Sequence, residues 1–354
     1  MTENEPLQPR LSNFTRRSFL RGSAAVAGAA AIAPILAACG STKQSTASSG
    51  SAGIGNSGST KTIGLSLNGL VEYDKQVAEG VAQALHGSGY NLKVVQANFT
   101  DSTELSNLQS LLNQGVAGLI ILPNTINNVL TAVKTAHSKN IPTSLCLWAV
   151  PTPLDQYMKG VAFVDSVKGG KMIGDWLKAN AKPGKTVVVE GVLGQGFSEN
   201  LNAGLDASLA GSGFEIVVRE QGYFDRTKAT DVVQRALQAH PDITTVVDYA
   251  AAMGDGIASY LKQQSITHIT HVTSDGDPEM LTWLGTPYLA ASRYYSAAQT
   301  GVVGADIVLN ALQGKPTTFR NPVEQVMLTA QNKASIVAQD PLEYTAYAGV
   351  ANGA

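Results

Sequence analysis

Short apolar segments and longer segments with a helical spacing of apolar residues alternate along the chain from residue 61 onward. The continuous apolar run at 118–123 is typical of a β-strand covered on both faces. At 100–113, by contrast, leucines recur every three or four residues, which predicts one apolar face of a helix. In the first half of the chain the pattern predicts strands at 62–67, 92–95, 118–123 and 143–147, and helices at 77–85, 100–113 and 129–138.

The second half of the chain repeats this alternation, beginning near Asp165. Two βαβ series of similar spacing predict an α/β protein with two doubly wound lobes, each built on a parallel sheet. In such lobes ligands collect beyond the carboxyl ends of the strands. The second series comprises helices at 168–180, 199–210, 227–239 and 254–262, and strands at 186–190, 215–218, 245–248 and 269–273.

The first 60 residues have a different pattern, with a single apolar run at 24–38 between polar segments. The run is too short to cross a bilayer readily and it contains Pro34, so we interpret it as the core of a signal peptide. Arg16-Arg17 with Phe19-Leu20 behind them matches the twin-arginine export pattern, which a receptor reads as an address.

The apolar run ends in Leu36-Ala37-Ala38-Cys39, which resembles a bacterial lipobox. We therefore expect residues 1–38 to be a signal peptide that is removed, and the Cys39 thiol to be acylated. Residues 39–60 are rich in Ser, Gly and Thr and predict a flexible tether. The predicted location is the outer face of the cytoplasmic membrane of a bacterium, where lipid on Cys39 anchors the protein.

Composition argues against several classes of protein. A formal net charge of −2 and the absence of a basic stripe argue against nucleic acid as a partner. Beyond Cys39 the sequence contains one cysteine, Cys146, which excludes a structural disulfide and a multi-cysteine zinc site. His268 and His271 would point to opposite faces of a strand, so we expect no metal there.

Motifs of catalysis are incomplete. Gly194-Gln195-Gly196 begins a dinucleotide fingerprint, but Glu199 occupies the position of its third glycine. The sequence has no Walker loop and no nucleophile elbow. We therefore expect a binding protein rather than an enzyme, without a cofactor. A transcription regulator of similar fold would carry a helix-turn-helix in place of an export signal.

Several short segments match one known family in their order and spacing. They are 87–92, 115–121, Asn140-Ile141-Pro142, 165–171, Phe224-Asp225-Arg226, 239–242, Asp275-Gly276 and Gly314-Lys315-Pro316. On these segments the chain from Lys61 to about Gln331 resembles the ribose-binding type of periplasmic sugar-binding protein. The resemblance implies the type I periplasmic binding protein fold, in which two lobes joined by three hinge strands close over one ligand. It also implies ABC permease subunits and a cytoplasmic ATPase as partners.

The resemblance implies a division of the chain as well, with hinge strands near Asp165, Tyr295 and Glu324. The N-terminal lobe would comprise 61–164 plus 296–324, the C-terminal lobe 165–295 plus 325–345, and a tail 346–354.

The candidate ligand-binding residues lie at strand ends, helix starts and the hinge. They are Asn68, Glu72, Tyr73, Trp148, Glu199, Phe224, Tyr249, Asp275 and Tyr295. By the resemblance, Phe224 corresponds to a stacking Phe of the family and Asp275 to its ligand-binding Asp. The other positions depart from the sugar pattern. Leu147-Trp148 replaces an Asp-Arg pair, and Glu199, Tyr249 and Tyr294-Tyr295 stand where an Arg, an Asn and a Gln are expected.

Aromatic faces with carboxylates among them suit the C–H faces and the hydroxyls of a sugar or polyol. The same faces attract cations, so a cationic or aromatic small molecule is the alternative ligand. The missing Arg disfavours an anionic ligand, unless Arg293 points into the pocket. Alternatives to ligand contact remain open: core packing for Trp148, Phe224, Tyr249 and Tyr295, exposure to solvent for Glu72 and Glu199, and capping of a turn for Asp275. A sensor that presents its ligand to a membrane receptor is the alternative to import.

Overall fold

The computed structural model describes residues 61–147 and 154–339. Within these ranges no helix is both long enough and apolar enough to cross a membrane. The predicted signal peptide, the tether with Cys39, Trp148 and the 346–354 tail lie outside the described residues.

Strands and helices alternate through most of the described chain. The strands are β1 (Thr62–Leu67), β2 (Asn91–Gln96), β3 (Gly118–Ile121), β4 (Thr143–Leu147), β5 (Gly160–Phe163), β6 (Lys185–Glu190), β7 (Glu215–Gln221), β8 (Ile243–Asp248), β9 (Thr270–Ser274), β10 (Ala291–Tyr295), β11 (Arg320–Pro322) and β12 (Gln325–Thr329). The helices are α1 (Glu72–Leu85), α2 (Asp101–Asn113), α3 (Ile126–Ser138), α4 (Ser166–Asn180), α5 (Phe197–Leu209), α6 (Arg226–Ala239), α7 (Ala251–Gln263), α8 (Met280–Trp283), α9 (Ala297–Leu312) and α10 (Lys333–Gln339). A 3-10 turn lies at Asp155–Tyr157.

The strands form two six-stranded sheets, and the predicted α/β architecture is confirmed. The first sheet has the order β2-β1-β3-β4-β5-β11 and the second β7-β6-β8-β9-β10-β12. The central strand β3 is buried along its whole length, whereas the edge strand β2 is alternately exposed. The apolar run in β3 agrees with this burial, because helices cover both faces of a doubly wound sheet. The polar residues in β2 agree with its position at the edge of the sheet.

All neighbouring strands are parallel except β12, which is antiparallel to β10. The second sheet is therefore parallel except for this one edge strand. Parallel neighbours need a long crossover, usually a helix. The chain instead enters β12 directly from β11, with only two residues between Pro322 and Gln325. It therefore runs back along β10 from the hinge end.

The chain passes between the two sheets at three places. These connections lie between β5 and α4, between β10 and α9, and between β11 and β12. Each connection contributes one residue to a small buried cluster of Val164, Tyr295 and Val323, against which Tyr73 packs. We call these three residues the hinge cluster. The lobe boundaries derived from the sequence fall within the same three connections, and the division into lobes stays a prediction.

Several elements begin earlier than expected or were not foreseen. The apolar spacing begins at Val77, but α1 starts at Glu72, because its first turn is polar and the Asp74 carboxylate accepts a hydrogen bond from the Val71 amide at 2.9 Å. Helix α9 was not predicted. It is rich in Ala, Gly and Val and buried along most of its length, so it lacks the polar face on which an amphipathic pattern depends.

Glycines allow two pairs of helices to approach closely. A Cβ on Gly170 of α4 would collide with the carbonyl oxygen of Leu201 in α5, and one on Gly204 of α5 would collide with the backbone of α4. Gly80 and Gly301 join α1 and α9 in the same reciprocal way. Each sheet is therefore covered on one side by a helix pair packed backbone against backbone.

This packing predicts that Gly170→Ala destabilises the protein, although alanine favours helices by about 1 kcal/mol relative to glycine. Overpacking against a backbone carbonyl should lower the free energy of unfolding by about 1–3 kcal/mol. Urea denaturation followed by circular dichroism measures the change. Lys168→Ala, on the exposed side of the same helix, is the control and should stay within about 0.5 kcal/mol of the parent. An unchanged midpoint for Gly170→Ala would contradict the close approach.

Candidate ligand-binding cleft

A cavity of about 700 Å³, part of which opens to solvent, lies between the two sheets at the carboxyl ends of their strands. Its position is the one at which parallel α/β sheets bind ligands. The first-sheet side contributes Asn68, Val71, Glu72, Tyr73, Asp74, Gln76 and Phe99. The second-sheet side contributes Gln195, Phe197, Phe224, Ala250, Ala251, Ala252, Asp275, Asp277 and Tyr295.

Two phenylalanines occupy equivalent positions on the two sides of the cavity. Phe99 follows the edge strand β2 and Phe224 follows the edge strand β7, and each immediately precedes the N-cap of the next helix. Both have a positive φ, 56° and 57°. Gly69 and Gly191, which follow the neighbouring strands β1 and β6, leave room for the two rings, because a Cβ at either glycine would collide with the phenyl group. Each lobe therefore presents one aromatic ring to the cavity.

Buried oxygen atoms of the cavity lining lack hydrogen-bond partners among the described residues. They are Oδ1 of Asn68, Oε1 of Gln195 and Oδ1 of Asp275. Asn68 is only 3% exposed. An unsatisfied buried acceptor costs about 1–3 kcal/mol, so these atoms gain when water or a ligand in the cavity donates to them. Hydroxyl or amino groups of a ligand would satisfy them.

Arg293 lies behind the lining and does not reach the cavity surface. It is fully buried, with its guanidinium carbon 4.4 Å from the ring centre of Tyr295 and 5.6 Å from that of Phe197. Its Nη1 donates to Oε1 of Gln325 at 3.1 Å, whereas Nε and Nη2 have no hydrogen-bond partner among the described residues. The sequence allows an anionic ligand only if Arg293 points into the pocket. Arg293 does not point into it, so an anionic ligand stays disfavoured.

Asp275 follows β9 with a φ of 70°, a backbone conformation that Asp and Asn tolerate better than most residues. Burial raises the pKa of its carboxyl group to about 6, against the opposing effects of the Arg293 charge and the Tyr295 hydroxyl. The carboxylate is therefore ionised at neutral pH and can accept hydrogen bonds from a ligand.

Besides Asp275, the charged residues of the largely apolar lining are Glu72, Asp74 and Asp277, all of them acidic. Burial raises the pKa of Asp74 to about 7 and also raises that of Asp277, to which the nearby charges of Glu279 and Glu72 contribute further. No basic side chain lies among the described residues that line the cavity. An anion would therefore meet like charges there.

The structure brings six of the nine predicted residues to the cavity lining: Asn68, Glu72, Tyr73, Phe224, Asp275 and Tyr295. At the hinge, Tyr295 lines the cavity, whereas its neighbour Tyr294 packs in a separate core cluster with Met280 and Leu328. That the six residues contact the ligand stays a prediction.

Two predicted residues lie away from the lining. The Oε1 atom of Glu199 accepts a hydrogen bond from the Gly194 amide at 2.6 Å, so this side chain holds its own loop. Tyr249 is fully buried, and its hydroxyl donates to Oδ1 of Asn202 at 2.7 Å. Trp148 lies outside the described residues.

Sequence reasoning missed Phe99, Asp277 and several other lining residues. A signal for Phe99 was present, because Asn98-Phe99 precedes the second helix of the first series as Tyr223-Phe224 precedes its counterpart in the second series. Asp277 carries no such signal, because it is one of several acidic residues in a loop.

The fold and the cleft together define a two-lobed solute-binding protein. Comparison with known families agrees, since the model of a family described as periplasmic binding protein domain matches residues 63–316. The chain therefore belongs to the periplasmic binding protein family. This is a family of binding proteins rather than enzymes, and its extracytoplasmic location agrees with the export signal predicted from the sequence.

Named relatives are similar over most of the chain. The ribose import binding protein of Escherichia coli K12 is 29% identical over 258 residues, which cover 72% of this chain and 85% of that protein. A xylitol-binding protein of Mycolicibacterium smegmatis is 27% identical over 258 residues, 71% of this chain and 69% of that protein. The structure of a carbohydrate transporter solute-binding protein from Agrobacterium radiobacter, in complex with D-arabinose, superposes with a TM-score of 0.72 at 18% identity, covering 80% of this chain and 99% of that one.

The raised pKa of Asp74 predicts a pH dependence of stability. Asp74 is 1% exposed, and its pKa in the folded protein, about 7, exceeds the ordinary value of 3.8. The folded state therefore binds the proton more tightly than the unfolded chain, so the free energy of unfolding falls as pH rises between these values, by up to about 1.4 kcal/mol per pH unit. Asp74→Asn should remove this part of the fall.

Urea denaturation near pH 5 and near pH 8 measures the effect. Asp231→Asn, at an exposed position of α6, is the matched control and should keep the pH dependence of the parent. If Asp74→Asn also kept it, the Asp74 carboxyl would have an ordinary pKa in the folded protein.

Proposed function

We propose that this protein is the extracytoplasmic solute-binding component of an ABC importer and that its cleft binds a sugar or polyol. The observation that carries the proposal is the combination of unpartnered buried acceptors, at Asn68 and Asp275, with an aromatic ring on each side, Phe99 and Phe224. A polyhydroxylated ring has hydroxyl donors around its edge and apolar C–H faces above and below. It can therefore satisfy both kinds of surface at once.

The named relatives support this class of ligand. One is named for the import of ribose and another for binding xylitol, a sugar and a polyol. Ribose itself is a poorer candidate here, because Leu147-Trp148 stands in place of the Asp-Arg pair that the resemblance implies for ribose binders.

Closure follows from the placement of the lining on both lobes. A ligand that contacts residues from both sheets stabilises the closed form over the open one, because only the closed form makes all the contacts. Tyr73 lines the cavity and also packs against the hinge cluster, with its ring centre 5.9 Å from that of Tyr295. The closed, loaded form is the one expected to dock on the permease subunits, which work with a cytoplasmic ATPase.

A thermal-shift screen of the purified protein against sugars and polyols tests the ligand class. At 100 times its dissociation constant, a ligand should stabilise the folded state by about 2.7 kcal/mol. Asp275→Asn keeps the shape of the side chain and tolerates the positive φ, and it should lose most of the shift. Because it also removes a charge that compensates the buried Arg293, circular dichroism must first show that the variant is folded. If no sugar or polyol produced a shift, or if Asp275→Asn responded like the parent, the proposed ligand class or the role of Asp275 would be wrong.

The location is the second part of the proposal. We propose that export follows the twin-arginine signal at Arg16-Arg17 and that lipid on Cys39 holds the protein at the outer face of the cytoplasmic membrane. The Ser/Gly-rich segment 39–60 would then let the binding lobes stand off the membrane, with a reach of roughly 25 Å.

Cys39→Ser should move the protein from the membrane fraction to the soluble fraction of the producing cells, because the acylated thiol is lost. Immunoblots of fractionated cells measure the distribution. Ser45→Ala, in the same segment, is the control and should leave the protein with the membranes. Retention of Cys39→Ser in the membrane fraction would exclude Cys39 as the anchor.

A further inference from the structure

Two carboxylates face the same cavity from opposite lobes. Glu72 is the first residue of α1, on the first-sheet side, and Asp277 follows β9 on the second-sheet side. They are near enough for the charge of Glu72 to raise the pKa of Asp277. Closing the lobes on a neutral ligand leaves these two like charges opposed across it.

The neighbouring basic side chains do not lie between the two carboxylates. Lys75 is 3.5 Å from the Glu72 carboxylate but does not line the cavity. Arg226, whose charge lowers the pKa of Asp277, is bound to Glu279 at 2.6 Å and to the buried Asp255 at 3.3 Å. Arg293 lies behind the aromatic rings, as described above. The charge that the lining presents to a ligand is therefore negative.

A second observation points to the same kind of ligand group. Asn68 is only 3% exposed, and it belongs to the lining of the same cavity. Its Oδ1 atom has no hydrogen-bond partner among the described residues. That oxygen needs a donor, as does Oδ1 of Asp275. An ammonium group supplies three donors and no acceptor, so it suits a lining that offers acceptors and carboxylates. The faces of Phe99 and Phe224 also attract a cation.

A metal ion is a poorer match for this lining. In the described part of the chain, no group of three or more His, Cys, Asp or Glu side chains is placed to hold a metal ion. Two carboxylates on opposite lobes, with aromatic rings beside them, fit an organic ammonium better than a metal that requires six or more oxygen ligands.

We infer that the ligand is an amino-bearing sugar or polyol, such as an amino sugar or an aminocyclitol, whose ammonium group lies between Glu72 and Asp277. This inference rests on the proposed function and narrows its ligand class. The ring of the ligand lies between the aromatic side chains, and its hydroxyls donate to the remaining acceptors. The ammonium group converts the repulsion between the two carboxylates into attraction, so an amine favours closure more than its neutral counterpart does.

Matched pairs of ligands test the inference by isothermal titration calorimetry on the purified protein. The pairs are myo-inositol with an amino-inositol, and glucose with glucosamine, together with any sugar that binds and its amino derivative. We expect at least one amine to bind about ten-fold or more tightly than its neutral partner, since charge-assisted hydrogen bonds are roughly twice as strong as neutral ones. Added salt should reduce this preference.

Variants locate the ammonium group. The double variant Glu72→Gln, Asp277→Asn should lose the preference for the amine, so that it binds the two members of a pair with similar affinity. Asp231→Asn removes one charge at an exposed site on α6 and should keep the preference. A preference that persists in the double variant would overturn the assignment to Glu72 and Asp277.

The remaining outcomes separate this inference from the proposed function. Equal or tighter binding of every neutral partner would overturn the inference and leave the protein a binder of neutral sugars or polyols. Absence of binding by both members of every pair would overturn the inference together with the proposed function.

Discussion

A guanidinium buried at the hinge constrains the residues around it. Arg293 has no exposed surface, and an uncompensated buried charge costs several kcal/mol. Its compensation comes from Gln325, from the rings of Tyr295 and Phe197, and from the charge of Asp275. Gln325 in turn donates to the carbonyl oxygen of Asp165, so the first and third connections are tied together through it. The hinge, the aromatic lining and the principal carboxylate of the cleft therefore form one interdependent unit.

The chemistry of the cleft follows from this arrangement. The charge of Arg293 acts from behind the rings, so the protein gains a counter-charge for Asp275 without offering a cation to the ligand. What the ligand meets is a set of acceptor oxygens and ring faces. This selects for donors and apolar C–H surface and against phosphates and carboxylates. The positive charge of Arg293 helps to keep the Asp275 carboxylate ionised, so the carboxylate remains available as a hydrogen-bond acceptor in the cleft.

Sequence alone predicts the architecture better than the site. Continuous apolar runs such as 118–121 identify strands, because both sheet faces are covered, but α9 lacks a polar face and was missed. At the cleft, the rule that ligands bind at strand ends places Asn68, Phe224 and Asp275 correctly at the cavity. The rule gives a position along the strand and not the direction of the side chain. Tyr249 directly follows a strand, as the rule requires, but its side chain points into the core. Asp277 lines the cavity although it lies three residues beyond the end of β9, so the rule does not identify it.

Tyr73 has two surfaces, one toward the cavity and one toward the hinge cluster. A solute that fills the cavity therefore contacts Tyr73, and through Tyr73 it can affect the hinge cluster and the angle between the lobes. A permease that docks on a particular lobe arrangement would respond to this angle rather than to occupancy. Two solutes held with equal affinity can then differ in how fast they are taken up, and a competitor that binds tightly but leaves the hinge splayed would act as an inhibitor of uptake.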